Sequence, residues 1–266
     1  MRVALTIAGS DSGAGAGIQA DLKTFAAHGV YGVTAITAVT AQNTLGVSTF
    51  QALPADLVIA QIEAVVADIG VHAAKTGMLA NAAIVEAVAA AVVDLEIPLL
   101  VVDPVMIATS GDCLVDDEAM AAMKTELFSR ALTVTPNIPE AEALTGITIR
   151  NDDDRRNAAR AIAALGAATV IIKGGHCATA DISDLFFDGH AFHDFRSERV
   201  PGGSTHGTGC TFAAALASHL AVGRRLVEAI PLAQRYVAGA IRHAPGLGHG
   251  QGPLEHLWES TPNSQR

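Results

Sequence analysis

Short apolar runs alternate with stretches of helical spacing along most of the chain. Val3 to Ala8 is a first run, and Ile18, Leu22 and Phe25 follow at i, i+4, i+7, one face of a helix. This predicts an opening β-α unit. Tyr31 to Val39 is rich in β-branched residues and predicts a second strand, with Val47 to Phe50 pairing with it or extending it. Pro54 opens a helix that turns Val58, Ile62 and Val65 inward, after which Ala74 to Met78 returns to the sheet. Asn81 suits the N-cap of a helix through Val93, Leu99 to Val102 reads as a fully buried strand ending at Asp103-Pro104, and Asp116 introduces another helix.

The alternation continues in the second half. Leu132 to Val134 predicts a short strand, Asp152 to Leu165 a helix closed by Gly166, and Val170 to Lys173 a buried strand ending in Gly174-Gly175. Ile182 to Phe187 and Ala191 to Phe195 flank Asp188-Gly189, so an antiparallel section is expected late in the chain. Thr211 to Val222 and Leu226 to His243 read as closing helices. No fixed-period repeat, biased linker or charge block interrupts the pattern. The expectation is one α/β domain over residues 1–258, a central mostly parallel sheet flanked by helices, with 259–266 as a loose tail.

Composition narrows the function classes. Half of the 266 residues are hydrophobic but only 4% are aromatic, so packing must rely on Ala, Val, Ile and Leu. The formal charge is −10 and the basic residues are scattered, which argues against nucleic acid or an anionic membrane as partner. Cys113, Cys177 and Cys210 make neither a disulfide framework nor a C-x-x-C pair, so a reducing, cytoplasmic compartment is expected. No apolar stretch is long enough to span a bilayer, and the N-terminal run reaches Gly9-Ser10-Asp11 too soon for a signal sequence.

The strongest chemical signal is His206-Gly207-Thr208-Gly209-Cys210, a glycine turn that feeds an Ala-rich helix. Gly207 and Gly209 let backbone N–H groups approach an anion, and the helix dipole adds positive potential there. Cys210 falls in the first helical turn, where a thiol's pKa is expected to drop, which suits a base for a substrate hydroxyl. The alternative is that Cys210 packs as a small apolar residue and the glycines merely shape a turn. Gly13-Ala14-Gly15-Ala16-Gly17 joins the first strand to the first helix but lacks the spacing of a dinucleotide fingerprint and the Lys-Ser/Thr of a P-loop. Asp21 is either a solvated helix charge or a contact aimed at substrate. Asp103 and Glu140, after predicted strands, suit Mg²⁺, and Lys173 suits ATP phosphates; singly each also reads as a turn residue, a helix-start charge and a surface cation.

Taken together, Ala8 to Gly13, Gly17 to Thr24, Thr40-Ala41-Gln42-Asn43-Thr44, Val102 to Met106 and His206 to Cys210 resemble the hydroxymethylpyrimidine/phosphomethylpyrimidine kinases over nearly the whole chain. The resemblance implies a ribokinase-like fold with a small lid, and phosphoryl transfer from MgATP to an aminopyrimidine in thiamine biosynthesis. It puts the pyrimidine near Asp21, Gln42 and Met78, with Val105 in the apolar wall. ATP and its metal are put near Asp103, Asn137, Glu140, Lys173 and Thr208, with Gly207 and Gly209 as the anion turn beside Cys210. By family analogy a second phosphorylation yields the diphosphate. Related pyridoxal-phosphorylating enzymes can share the cysteine, so pyridoxal, pyridoxine or pyridoxamine is the alternative substrate, and a noncatalytic ligand-binding protein the alternative class. Similar kinases often form homo-oligomers. Two departures stand out: Ala14 replaces a Gly common in the family's first loop, and Pro201-Gly202-Gly203-Ser204 is an unusual approach to His206.

Overall fold

The computed structural model describes residues 1–106, 115–175, 181–201 and 204–260. Nine strands form one sheet in the order β3-β2-β1-β4-β5-β6-β7-β8-β9. The parallel centre comprises β2 (Tyr31–Asn43), β1 (Val3–Asp11), β4 (Ala73–Thr76), β5 (Leu100–Val102), β6 (Thr133–Val134) and β7 (Thr169–Ile172). The edges are antiparallel: β3 (Gly46–Ala52) on β2, and the hairpin of β8 (Asp181–Phe187) and β9 (Phe192–Glu198) on β7. The late antiparallel section is therefore present, and the β2–β3 hairpin supplies a small flap at the other end.

Side-chain alternation sorts the central strands onto two cores. Leu5, Ile7, Leu100, Val102, Val170 and Ile172 face a core closed by α2 (Ala55–Asp68), α3 (Ala82–Asp94), α4 (Asp117–Ala122), α5 (Ile138–Thr145) and α6 (Asp152–Ala164). Ala4, Ala73, Val101 and Ile171 face a second core under α1 (Gly17–Ala27), α7 (Thr208–Ala221) and α8 (Leu226–Arg242). The near-continuous apolar runs of β5 and β7 follow from burial on both faces.

Several local signals act as read. Asn81 and Asp116 accept hydrogen bonds from Ile84 N–H and Ala119 N–H at 3.0 and 2.8 Å and so cap α3 and α4. One expectation needs correction. Leu99 is not a buried strand residue: it is 41% exposed with φ +49°, and β5 begins after it. The helix that Asp116 introduces is present and runs to Ala122, followed by a π-helical turn (Met123–Leu127) and a 3-10 turn (Phe128–Arg130). Of the expected tail, residues 261–266 lie outside the described residues, as do Cys113, His176, Cys177, Gly202 and Gly203.

Candidate active site

A cavity of about 650 Å³ opens at the C-terminal ends of the parallel strands. Open α/β sheets bind ligands there, beside the strand where chain order reverses, which here is β1 between β2 and β4. Each strand end contributes: Gly9 to Asp11 from β1, Thr40 and Gln42 from β2, Met78 after β4, and Asp103 and Val105 after β5. Asn137 and Glu140 enter after β6, Lys173 after β7, and Gly207 to Cys210 from the start of α7. The sequence-predicted site residues thus come together in the lining of one cavity, with the exception of Asp21.

The glycine turn is a backbone device. Gly207 is the N-cap of α7 with φ +82°, a left-handed conformation that disfavours side chains. A Cβ there would overlap the carbonyl of Gly15, so the turn docks directly against the first loop. The first N–H groups of α7 have no acceptors within the helix, and the helix dipole adds to their attraction for an anion. The Lys173 ammonium lies beside the turn, 3.2 Å from where a Cβ on Gly209 would stand. Thr208 donates its hydroxyl to Thr205 O at 3.1 Å, which pins the entry to the helix.

Asp11 organises the first loop. Its carboxylate accepts N–H bonds from Gly13 (2.7 Å), Gly15 (3.0 Å) and Ala16 (2.8 Å), and His206 Nε2 lies at 2.8 Å. Burial opposes its charge, but the His206 and backbone donors outweigh that and hold the carboxyl below its usual range. The Gln42 amide nitrogen is 3.4 Å from the same imidazole nitrogen, so the substrate flank and the glycine turn meet at His206.

On the other flank, Lys173 Nζ donates to Asp103 Oδ1 at 2.8 Å and stands 3.9 Å from Glu140 Oε2. Asn137 and Glu140 form a capping box at the start of α5: Asn137 N–H donates to Glu140 Oε2 (2.7 Å) and Glu140 N–H to Asn137 Oδ1 (2.9 Å). Burial pushes the Glu140 carboxyl up to about 7, against the pull of Lys173. Burial also disfavours the Lys173 ammonium, but Asp103 and Glu140 overcome it and the lysine stays charged. Among the described residues no group of three or more His, Cys, Asp or Glu forms a dedicated metal cage. Two carboxylates beside an anion turn do fit Mg²⁺, which keeps waters and substrate phosphates as its other ligands.

Two expectations change here. Burial pushes the Cys210 thiol up to about 11 instead of letting it fall, although Lys75 and a hydrogen bond from Gly17 N–H draw it down. Desolvation of the thiolate, helped by the nearby Asp21 and Asp103 carboxylates, therefore exceeds what Lys75 and the Gly17 N–H return. Asp21 does not line the cavity. It is fully buried on α1, 3.0 Å from Lys75 Nζ, and it accepts the Thr6 hydroxyl at 2.6 Å.

The lining of the same cavity also includes the apolar side chains of Ile182, Val200, Val237 and Ile241. Asp184 on β8, also in that lining, is buried and accepts Gly174 N–H at 2.7 Å and the Gln234 amide at 2.8 Å. These bonds join the glycine pair after β7 to α8.

The sequence pattern of the phosphomethylpyrimidine kinase family matches residues 11–255. The chain belongs to this family. A hydroxymethylpyrimidine/phosphomethylpyrimidine kinase of Bacillus subtilis is 49% identical over 96% of this chain and 94% of its own. A thiamine biosynthesis bifunctional protein of Geobacter sulfurreducens is 51% identical over 95% of this chain, which spans only 52% of that longer protein. Among solved structures, the pyridoxal kinase of Staphylococcus aureus in complex with AMP-PCP and pyridoxal superposes with TM-score 0.90 at 36% identity, covering 98% of this chain and 95% of that one.

For a phosphomethylpyrimidine kinase family member, the motif residues were the legible part of the site. Roles for Asp11, Lys75, Asp184, Gln234 and the apolar lining of Ile182, Val200, Val237 and Ile241 were not read from sequence. A signal existed for two of them: Lys75 sits within Ala73 to Met78 and Asp184 within Ile182 to Phe187, runs otherwise suited to burial. A charge in such a run announces a buried partner.

Proposed function

We propose that this chain transfers the γ-phosphoryl group of ATP to the hydroxymethyl oxygen of 4-amino-5-hydroxymethyl-2-methylpyrimidine, and then to the resulting monophosphate, in the cytoplasmic synthesis of thiamine. The carrying observation is the placement of Cys210 beside the Gly207–Gly209 turn, in one cavity with Gln42 and Met78. The Gln42 amide can donate and accept on an aminopyrimidine edge, and Met78 can conform to a ring face.

The substrate oxygen attacks the γ-phosphorus as the bond to the ADP oxygen breaks, and its proton passes to Cys210 in its thiolate form, which becomes the neutral thiol. A loose phosphoryl transition state needs little prior deprotonation of the alcohol. The α7 N–H groups and Lys173 stabilise the charge on the transferring oxygens. Bound Mg²⁺, held by Asp103 and Glu140 directly or through water, would neutralise phosphate charge. The apolar side chains of Ile182, Val200, Val237 and Ile241 in the cavity lining suit the adenine end of the nucleotide.

The purified chain is incubated with MgATP and, in parallel, the hydroxymethylpyrimidine, its monophosphate or pyridoxal, with products identified by mass spectrometry. Products from both pyrimidines are expected. The likeness to a pyridoxal kinase structure favours pyridoxal as the second reading, and product from pyridoxal alone would replace the substrate while keeping the chemistry.

A further inference from the structure

We propose that Lys75, paired with Asp21 beneath the cavity floor, is a positioning residue that sets both the place and the charge environment of Cys210. For its catalytic consequence this rests on the reading of Cys210 as proton acceptor. The pair has 0% exposure on both side chains. A buried ion pair is a poor source of stability, since apolar residues of similar volume often serve as well or better. Its location is more informative. Thr6, Asp21 and Lys75 tie β1, α1 and β4 at one point, and the cavity lining sits within a few residues of each: Gly9, Gly17 and Met78.

Contacts above the pair carry its position to the thiol. Gly17, at the start of Asp21's helix, donates its N–H to Cys210 and stands against the Gly9 carbonyl with φ +58°. Gly77 passes over the ammonium, 3.1 Å from Lys75 Nζ to the place of its missing Cβ. The charged groups that act on Cys210 are Lys75 on β4, Asp21 on α1, Asp103 after β5 and Lys173 after β7. Lys75 favours the thiolate and Asp21 opposes it, with Lys75 the larger influence. Before the proton arrives, the sulfur is a thiolate, and Lys75 supplies it with a buried countercharge that solvent screens little.

The test is the rate of Cys210 alkylation by iodoacetamide in the full chain at pH 8, read on the Cys210 peptide by mass spectrometry. Lys75→Met should slow it about tenfold, the equivalent of one pKa unit, and Asp21→Asn should quicken it. Opposite signs are the signature. A pair that only holds the floor together would, when broken, expose the thiol in both variants and quicken both, and that outcome overturns the proposal, as does no change in either. Should a single variant fail to fold, the charge-free pair Asp21→Leu/Lys75→Met takes its place: modest slowing is expected, and an unchanged alkylation profile overturns the idea. In turnover, Lys75→Met should lower kcat with KM for MgATP unchanged. Alkylation does not depend on turnover, so a fully active Cys210→Ala protein would remove the base role and leave the alkylation result standing.

Discussion

Ala14 holds a left-handed backbone, φ +58°, in the first loop. Such a conformation costs an L-residue about 1–2 kcal/mol, whereas glycine gives back about 0.5–1 kcal/mol in unfolded-chain entropy. Ala14→Gly should therefore stabilise the chain by up to about 1 kcal/mol in urea unfolding. Gly207→Ala should do the reverse, losing about 3 kcal/mol or more from backbone strain and overlap with Gly15, with turnover lost as well. Cys210→Ala should fold and lose roughly 10²–10⁴-fold in kcat by steady-state assay. Because the Cys210 pKa is pushed up to about 11, the thiolate fraction grows with pH, and kcat/KM should rise from pH 6.5 to 8.5 until another step limits. At this scale the sequence was readable wherever a residue belonged to a motif, as with His206 to Cys210. It was opaque where function depends on distance in the chain: nothing local connects Asp11 to His206, or Asp21 to Lys75.

Among the elements, strands were the best read, since β5 and β7 are apolar on both faces and β8 and β9 bracket Asp188-Gly189. Helix ends were read less well. α5 is only eight residues long and carries Pro139 in its first turn, so it offers little periodicity, yet its capping box places Glu140. That placement has a pH signature. A carboxyl whose folded pKa lies near 7 against an ordinary 4.5 binds more protons in the folded state between those values, so stability falls as pH rises through that window. The ligand-free protein should lose up to about 3 kcal/mol between pH 5 and 7.5, MgATP should restore much of it, and Glu140→Gln should flatten the profile. Thermal unfolding across that range, with and without nucleotide, measures all three.

For the whole molecule, the hydrophobic pattern and composition gave the layered α/β architecture, but not the way the C-terminal segment is used. Gln251 N–H donates to Thr44 O at the tip of the β2–β3 hairpin (2.8 Å), Thr205 bonds Gln251 (3.0 Å), and His206 N–H donates to Gly252 O (3.3 Å). The His256 carbonyl accepts Tyr236 OH at 2.7 Å, anchoring the segment on α8. Glycines without periodicity gave no sign of this strap. Removing residues 247–266 should free the hairpin that carries Gln42, raising KM for the pyrimidine more than KM for ATP in initial-rate assays.

The strap meets the glycine turn at one end of α7, a helix buried from Thr211 to Ala221. Four of its fourteen residues are Ala213, Ala214, Ala215 and Ala217, side chains without a heavy-atom rotor. A mount built from such residues has almost no rotameric disorder to lose or to excite. Those four positions cost no side-chain entropy when the helix that carries the anion turn is buried.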